Sequence, residues 1–201
     1  MKFYNELKTD MKRIVSIIGD RHCAADDLKA QIAYEMGRAL IDNGYRVLTG
    51  GIGGEEDDDG IMDFAMKGAR ASTQYTDGDT IAVVPGFSPK SASKYADIII
   101  PTGLDVYRNG ITANTDAVIA IGGGAGTLCE MAFAWSLGRL IIAFDNVPGW
   151  SSQLAGQAID ERKRYENIPY DCVYGVCTVD KAVALLNNKI DLYSKRHDNI
   201  R

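Results

Sequence analysis

The chain has 201 residues, of which 46% are hydrophobic and 24% are charged, which is the balance of an ordinary globular domain and excludes a disordered or fibrous chain. There are 22 Lys and Arg residues against 27 Asp and Glu residues, which leaves a net charge of −5. This charge excludes the basic surface that duplex nucleic acid or an anionic membrane would require. The 4 cysteines show no CxxC pair and no metal-ligand spacing, so we expect reduced thiols and a cytoplasmic protein.

The amino-terminal residues do not have the pattern of a targeting signal. Charges are scattered through residues 1–13, and no apolar run there is long enough for a secretory or membrane-spanning segment. Met11 lies directly before the first predicted strand and is a second candidate start, so the true first residue stays open. We expect a leader over residues 1–11, one domain over residues 12–190 and a tail over residues 191–201.

Short apolar, β-branched runs alternate with helical patterns along the chain. Because these runs are continuously apolar, they are typical of strands that are covered on both faces of a sheet. The predicted strands span residues 14–18, 46–48, 80–84, 98–100, 117–121, 140–144 and 173–177.

The first helical pattern has an apolar residue at every fourth position from Leu28 to Leu40 and ends at Asn43-Gly44. The alternation of strands and helices predicts a single-domain α/β fold of the Rossmann-like type. We expect a doubly wound parallel sheet of about seven strands, flanked by helices. The other predicted helices span residues 60–69, 128–137 and 181–186.

Three unusual loops follow predicted strands, which is where ligands bind in such a sheet. Their sequences are GDRHC at residues 19–23, TGGIGG at 49–54 and GGGAGT at 122–127. Glycine lets a ligand approach the backbone, and the unpaired N–H groups at the start of the next helix suit a phosphate. We therefore predict a phosphate site at the third loop, with Thr127 as a hydroxyl donor. The alternative is that these glycines only make tight turns. The loops match neither a Walker A motif nor GxGxxG, which disfavours ATP hydrolysis and NAD redox chemistry.

Two charged residues are candidates for chemistry at this site. Glu130 lies three residues after Thr127 on the same helical face, so its carboxylate is expected to point toward the sugar of a bound nucleotide. The alternative is a capping box, in which Glu130 satisfies a backbone N–H group. Arg108 can face a phosphate or a leaving group. The alternative interpretation is that Arg108 is a solvated arginine in a loop.

The segment GGGAGTLCE at residues 122–130 resembles the PGGxGTxxE signature of the LOG family, the cytokinin-activating phosphoribohydrolases often labelled "lysine decarboxylase-like". Gly122 stands where the signature has proline. TGG at 49–51 and PTGLDVYRN at 101–109 are similar to family segments as well. The chain looks closest to the branch of Rossmann-like nucleotide-binding proteins that includes the molybdenum cofactor carrier proteins, over about residues 12–190.

The resemblance implies that Arg108 and Glu130 are a catalytic pair. They would cleave the N-glycosidic bond of a nucleoside 5′-monophosphate, which releases free base and ribose 5-phosphate. The alternative is a nucleotide or molybdenum cofactor carrier that does not catalyse a reaction. LOG relatives are homodimers, so a homodimer or a higher homo-oligomer is implied. The residues expected to bind the phosphate or the rest of the ligand are Gly19, Gly50, Gly51, Asn109, Gly123, Gly124, Gly126 and Thr127.

Cofactor requirements are expected to be minimal. No lysine is placed for a pyridoxal Schiff base, so lysine decarboxylation is not expected and no cofactor is required. An acidic run follows the second glycine loop and consists of Glu55, Glu56, Asp57, Asp58 and Asp59. Hard oxygen ligands suit Mg²⁺ or Ca²⁺, so a divalent cation is one interpretation of this run, and a solvated acidic bulge is the other. The irregular segment 150–169 is interpreted as a lid or an interface.

Overall fold

Seven parallel strands form one sheet in the computed structural model, which describes residues 11–53 and 59–194. The strand order is β4-β3-β2-β1-β5-β6-β7. Each neighbouring pair is parallel, as at Val15 opposite Val47 and Ile17 opposite Ile119. The strands are β1 (Ile14–Gly19), β2 (Arg46–Thr49), β3 (Thr80–Val84), β4 (Ile98–Pro101), β5 (Ala117–Ile121), β6 (Leu140–Phe144) and β7 (Tyr174–Val176).

Six α-helices within the described residues cover both faces of the sheet. One face packs against α1, α2 and α6 through the larger apolar cluster, and the other packs against α3, α4 and α5. Alternate residues of β5 face the two clusters, with Ile119 on one side and Val118 on the other. This two-sided burial explains the continuous apolar runs of the central strands. The helices are α1 (Leu28–Asp42), α2 (Ile61–Arg70), α3 (Asn109–Ala113), α4 (Ala125–Ser136), α5 (Trp150–Leu154) and α6 (Val179–Ser194).

The Rossmann-like fold predicted from the sequence is confirmed, with differences at several helix ends. Helix α4 begins at Ala125, three residues before the predicted start at 128, because Gly124 serves as its N-cap. Helix α6 extends to Ser194, so the predicted domain boundary at residue 190 falls inside it. The short helices α3 and α5 were not predicted, because five residues are too few to show a helical repeat. Among the described residues, no helix combines the length and apolar character needed to cross a bilayer.

The strand order reverses at the centre of the sheet. Strand β1 lies between β2 and β5, with β3 and β4 beyond one neighbour and β6 and β7 beyond the other. The carboxyl ends of β1 and β5 lie side by side, since Gly19 is opposite Ile121. The connections that follow β1 and β5 therefore leave the sheet on opposite sides and open a crevice between them, which is where open α/β sheets bind ligands.

Candidate functional site

A pocket of about 450 Å³ lies at this crevice. The ends of β1 and β2, the segment 105–109 and the first turns of α4 contribute its walls. The structure thus brings together residues that the sequence places in four separate segments. The predicted site residues that line the pocket are Gly19, Gly50, Arg108, Asn109, Gly124, Gly126, Thr127 and Glu130.

The third glycine loop presents the start of α4 to the pocket. Gly122 and Gly123 have φ angles of 65° and 95°, which turn the chain from β5 into the helix, and Gly124 is the N-cap without a side-chain hydrogen bond. The Leu128 N–H donates to the Gly124 carbonyl at 3.0 Å, so the N–H groups before it have no acceptor within the helix. A Cβ atom added at Gly124 or Gly126 would meet no atom of residues 11–53 and 59–194 within 4 Å. The first turn of α4 is therefore open toward the pocket.

The other predicted glycines have a packing role. A Cβ atom at Gly19 would collide with the Ile121 carbonyl, and one at Gly51, where φ is 65°, would collide with Ala82. A Cβ atom at Gly123 would collide with the side chain of Thr127. The Thr127 hydroxyl itself donates to the Gly19 carbonyl at 3.2 Å, so it ties the helix start to β1.

Arg108 and Glu130 meet inside the pocket. Nη1 of Arg108 lies 3.3 Å from Oε1 of Glu130, and the two side chains are only 11% and 9% exposed. The same Nη1 donates to Oγ1 of Thr112 at 3.0 Å. The capping-box alternative is wrong, because Thr127 lies inside the first turn and Gly124 is the N-cap. The alternative of a solvated loop arginine is wrong as well, because Arg108 is buried against a carboxylate.

Burial changes the acid–base properties of this pair. It raises the pKa of Glu130 to about 7, and the positive charge of Arg108 offsets part of that increase. Burial also lowers the pKa of Arg108, while the carboxylates of Glu130 and Asp105 act in the opposite direction. A guanidinium nevertheless stays charged near neutral pH. Within the described residues, Nε of Arg108 is buried without a hydrogen-bond partner, so the pocket retains an unused donor.

Neighbouring segments fix the position of Arg108. A Cβ atom at Gly50 would collide with Nη1 of Arg108, so a larger residue there would displace the guanidinium from this position. Asn109 is buried and begins α3 directly after Arg108. Asp105, also in the pocket wall, has a φ of 48°, an uncommon value for a residue other than glycine, and its N–H donates to the Pro85 carbonyl at 3.1 Å. The backbone before and after Arg108 thus directs its guanidinium toward Glu130.

Ser151 supports the site, although no motif in the sequence marks it. Its hydroxyl accepts from the Gly122 N–H at 2.8 Å and donates to the Phe144 carbonyl at 2.7 Å. The N–H groups of Trp150 and Ser151 donate to the carbonyls of Gly123 and Gly122. The beginning of the segment interpreted as a lid or an interface is therefore helix α5, which holds the glycine loop. Ser151 is the first of two serines after a Gly-Trp pair, a pattern that carries no sequence signal for this role.

The acidic run cannot be placed as a whole, because Glu55, Glu56, Asp57 and Asp58 lie outside the described residues. Asp59 lines a separate cavity of about 370 Å³ together with Asp63, Lys90 and Lys94. The described part of the chain contains no group of three or more His, Cys, Asp or Glu side chains that could hold a metal ion. The divalent cation at residues 55–59 stays a prediction.

Comparison with known proteins assigns the family. The model of the SLOG cluster4 family matches residues 12–172. The chain belongs to the SLOG cluster4 family. A protein of Archaeoglobus fulgidus described as uncharacterised is 31% identical over 128 residues, which are 63% of this chain and 76% of that protein.

Two solved structures resemble this SLOG cluster4 protein along nearly their whole length. The molybdenum cofactor binding protein of Rippkaea orientalis has a TM-score of 0.70 and 27% identity, and the match covers 90% of this chain and 98% of that one. The molybdenum cofactor carrier protein of Chlamydomonas reinhardtii has a TM-score of 0.67 and 25% identity, and the match covers 90% and 99%. The predicted likeness to molybdenum cofactor carriers is confirmed, whereas LOG-type catalysis stays a prediction.

Proposed function

We propose that this SLOG cluster4 protein binds a phosphorylated heterocyclic ligand and carries it without turnover, with a molybdopterin-type cofactor as the first candidate and nucleotides as the second. The observation that carries the proposal is the open first turn of α4, where Gly124 and Gly126 leave room beside N–H groups that have no acceptor within the helix. The likeness to two molybdenum cofactor proteins over 90% of the chain supports it.

The pocket supplies what such a ligand needs. A helix N-terminus favours a negative charge by typically 0.3–1 kcal/mol and by about 2 kcal/mol in partly buried geometries. Arg108 adds a second positive group, whose buried Nε has no hydrogen-bond partner among the described residues. Ile52, Met62 and Val106 form apolar walls against which a planar ring can pack. Because the chain as a whole is negative, this local arrangement is what attracts the anion.

Ligand-dependent unfolding tests the carrier function. The full chain is heated with molybdopterin, AMP, GMP or CMP, and each ligand is then recovered and identified by mass spectrometry. A bound ligand should raise the melting temperature, since it binds only the folded state, and should be recovered unchanged. The absence of any rise across the pterin and the nucleotides would contradict the proposal.

A second candidate function is hydrolysis of nucleoside 5′-monophosphates, which the buried Arg108–Glu130 pair favours. Cleavage of a ribosyl C–N bond passes through a state with positive charge on the sugar, and a carboxylate stabilises that charge or activates the attacking water. Incubation with AMP, GMP and CMP should then release free base, and Glu130→Gln should abolish the release without preventing binding. If the chain binds the nucleotides and they stay intact, hydrolysis is excluded and the carrier function remains.

A homodimer or a higher homo-oligomer and a cytoplasmic location complete the proposal. Both follow from the family resemblance and from the composition. Sedimentation equilibrium of the full chain measures the first, because a dimer has twice the mass of the 21.9 kDa chain.

A further inference from the structure

A carboxylate lies next to the proposed anion site, where its charge would repel a phosphate. Asp20 directly follows β1 and lines the pocket. Its Oδ2 atom lies 2.5 Å from the position that a Cβ atom of Gly122 would take, so it is close to the glycine loop. The Asp20 carbonyl accepts from the Ile61 N–H at 3.1 Å, which fixes the backbone of this residue against the start of α2. The carboxylate therefore belongs to the wall of the site.

Lys29 pairs with this carboxylate. Its Nζ lies 2.8 Å from Oδ2 of Asp20 and 3.7 Å from Oδ2 of Asp27, and its side chain is 15% exposed. The Cδ atom of Lys29 lies 2.9 Å from the same Cβ position of Gly122, so its aliphatic part runs beside the loop. The hydrogen bond to Asp20 raises the pKa of Lys29, which therefore stays charged at neutral pH.

We propose that Lys29 is a positioning residue that neutralises Asp20 and thereby lets the glycine loop accept the anionic group of the ligand. The inference rests on the proposed binding function and adds a requirement to it. The ammonium group is engaged by Asp20, so it acts through that carboxylate instead of binding the phosphate. Without Lys29, the uncompensated charge of Asp20 faces the incoming anion in a partly buried setting, where repulsion is several times stronger than in bulk water.

A double-mutant cycle tests this role in the full chain, with AMP and inorganic phosphate as probes and calorimetry as the measurement. Lys29→Met should weaken binding of AMP by about tenfold or more, which corresponds to about 1.4 kcal/mol. The double variant Asp20→Asn with Lys29→Met should bind within about threefold of the wild type, because it removes the carboxylate together with its partner.

Lys163→Met is the matched control, since Lys163 pairs with Glu166 on the surface and its side chain is 61% exposed. It should bind both probes like the wild type. Thermal unfolding of every variant shows whether it is folded. If Lys29→Met does not fold, the single variant Asp20→Asn tests the inference instead. It frees the charge of Lys29 and should therefore tighten AMP binding. Unchanged or weaker AMP binding would overturn the inference.

Two further results would overturn it. A double variant as weak as Lys29→Met would mean that Lys29 itself holds the anion. A Lys29→Met variant that binds like the wild type would mean that the pair has no role in binding. If the wild type binds neither these probes nor molybdopterin, the proposed function is wrong and this inference is wrong with it. If the wild type binds the probes and the variants give one of the two results above, only this inference is wrong.

Discussion

At the scale of single residues, two glycines of one loop have different roles, and substitution separates them. Gly126 lies in the first turn of α4, and a Cβ atom there meets open space, so Gly126→Ala should leave stability unchanged or raise it by about 0.5–1 kcal/mol. The added methyl group projects toward the anion site and should weaken binding of a phosphorylated ligand. Urea denaturation and calorimetry measure the two effects separately.

Gly123→Ala is the matched comparison within the same loop. Its φ of 95° and the collision of a Cβ atom with Thr127 should cost about 1–3 kcal/mol of folding free energy. Equal stabilities of the two alanine variants would contradict the assignment of separate roles.

Glu130 should make the stability of the protein depend on pH. Burial raises its pKa from 4.5 to about 7, so between these values the folded state binds more protons than the unfolded state. The stability that the protonated carboxyl contributes is therefore complete below about pH 4.5 and is lost as the pH rises through 7. Relative to Glu130→Gln, which mimics the protonated form, the wild type should lose about 3 kcal/mol at most over this range.

Urea denaturation of both proteins between pH 4.5 and 8 measures this difference, and the comparison cancels the titration of the other groups. A difference that stays constant, or that grows in favour of the wild type as the pH rises, would show that Glu130 is ionised throughout.

The sequence predicted the charged pair but not its surroundings. Arg108 and Glu130 could be identified because the family signature places them. The spacing of Thr127 and Glu130 fits both a capping box and a ligand site, and only the true start of α4 at Ala125 excludes the capping box. The sequence also could not separate Gly51 and Gly123, which pack against neighbours, from Gly124 and Gly126, which face the pocket. That distinction depends on three-dimensional contacts.

At the scale of elements, the short helix α5 holds the glycine loop through Ser151. This side chain is fully buried and bonds to the Gly122 N–H and to the Phe144 carbonyl. Ser151→Ala leaves both backbone groups without their partner, which should cost about 1–3 kcal/mol for each group that stays unsatisfied. It should also weaken ligand binding, because the loop loses its fixed position.

Ser152→Ala is the control for this prediction, since the hydroxyl of Ser152 is only part-buried and bonds to the Gly149 carbonyl. Urea denaturation should show a loss for Ser151→Ala that is clearly larger than the loss for Ser152→Ala. Similar losses would argue against a supporting role of α5.

The strands could be predicted and the short helices could not, for one physical reason. A strand buried on both faces is marked by continuous apolar residues, as in β5 and β6, whereas α5 is specified by tertiary hydrogen bonds to the loop 122–123. Helix α6 was predicted too short, because its apolar positions continue well past Leu186, at Ile190 and Tyr193, among polar residues.

At the scale of the whole molecule, Arg164 connects the segment after α5 to two helices. Its guanidinium donates to both carboxylate oxygens of Asp171 at 2.6 Å, and it stacks 3.6 Å from the centre of the Trp135 ring in α4. Asp171 in turn accepts from the hydroxyl of Tyr193 in α6 at 2.5 Å. The pair is almost completely buried, with exposures of 4% and 9%.

Arg164→Met should therefore destabilise the fold by about 3–5 kcal/mol, because it leaves the charge of Asp171 buried without its partner. Lys163→Met, the neighbouring exposed lysine, should stay within about 0.5 kcal/mol of the wild type. Chemical denaturation followed by tryptophan fluorescence compares the two variants. A small effect of Arg164→Met would show that water reaches Asp171.

Strand β7 and helix α6 follow residue 172, the last position that the family model matches, yet they complete one edge of the sheet and bury Val176, Leu186 and Tyr193. The pocket lies at the switch between β1 and β5 and draws its walls from residues 17–130. Substitutions in residues 173–194 should therefore change how well the domain withstands heat, while every residue that lines the pocket stays the same.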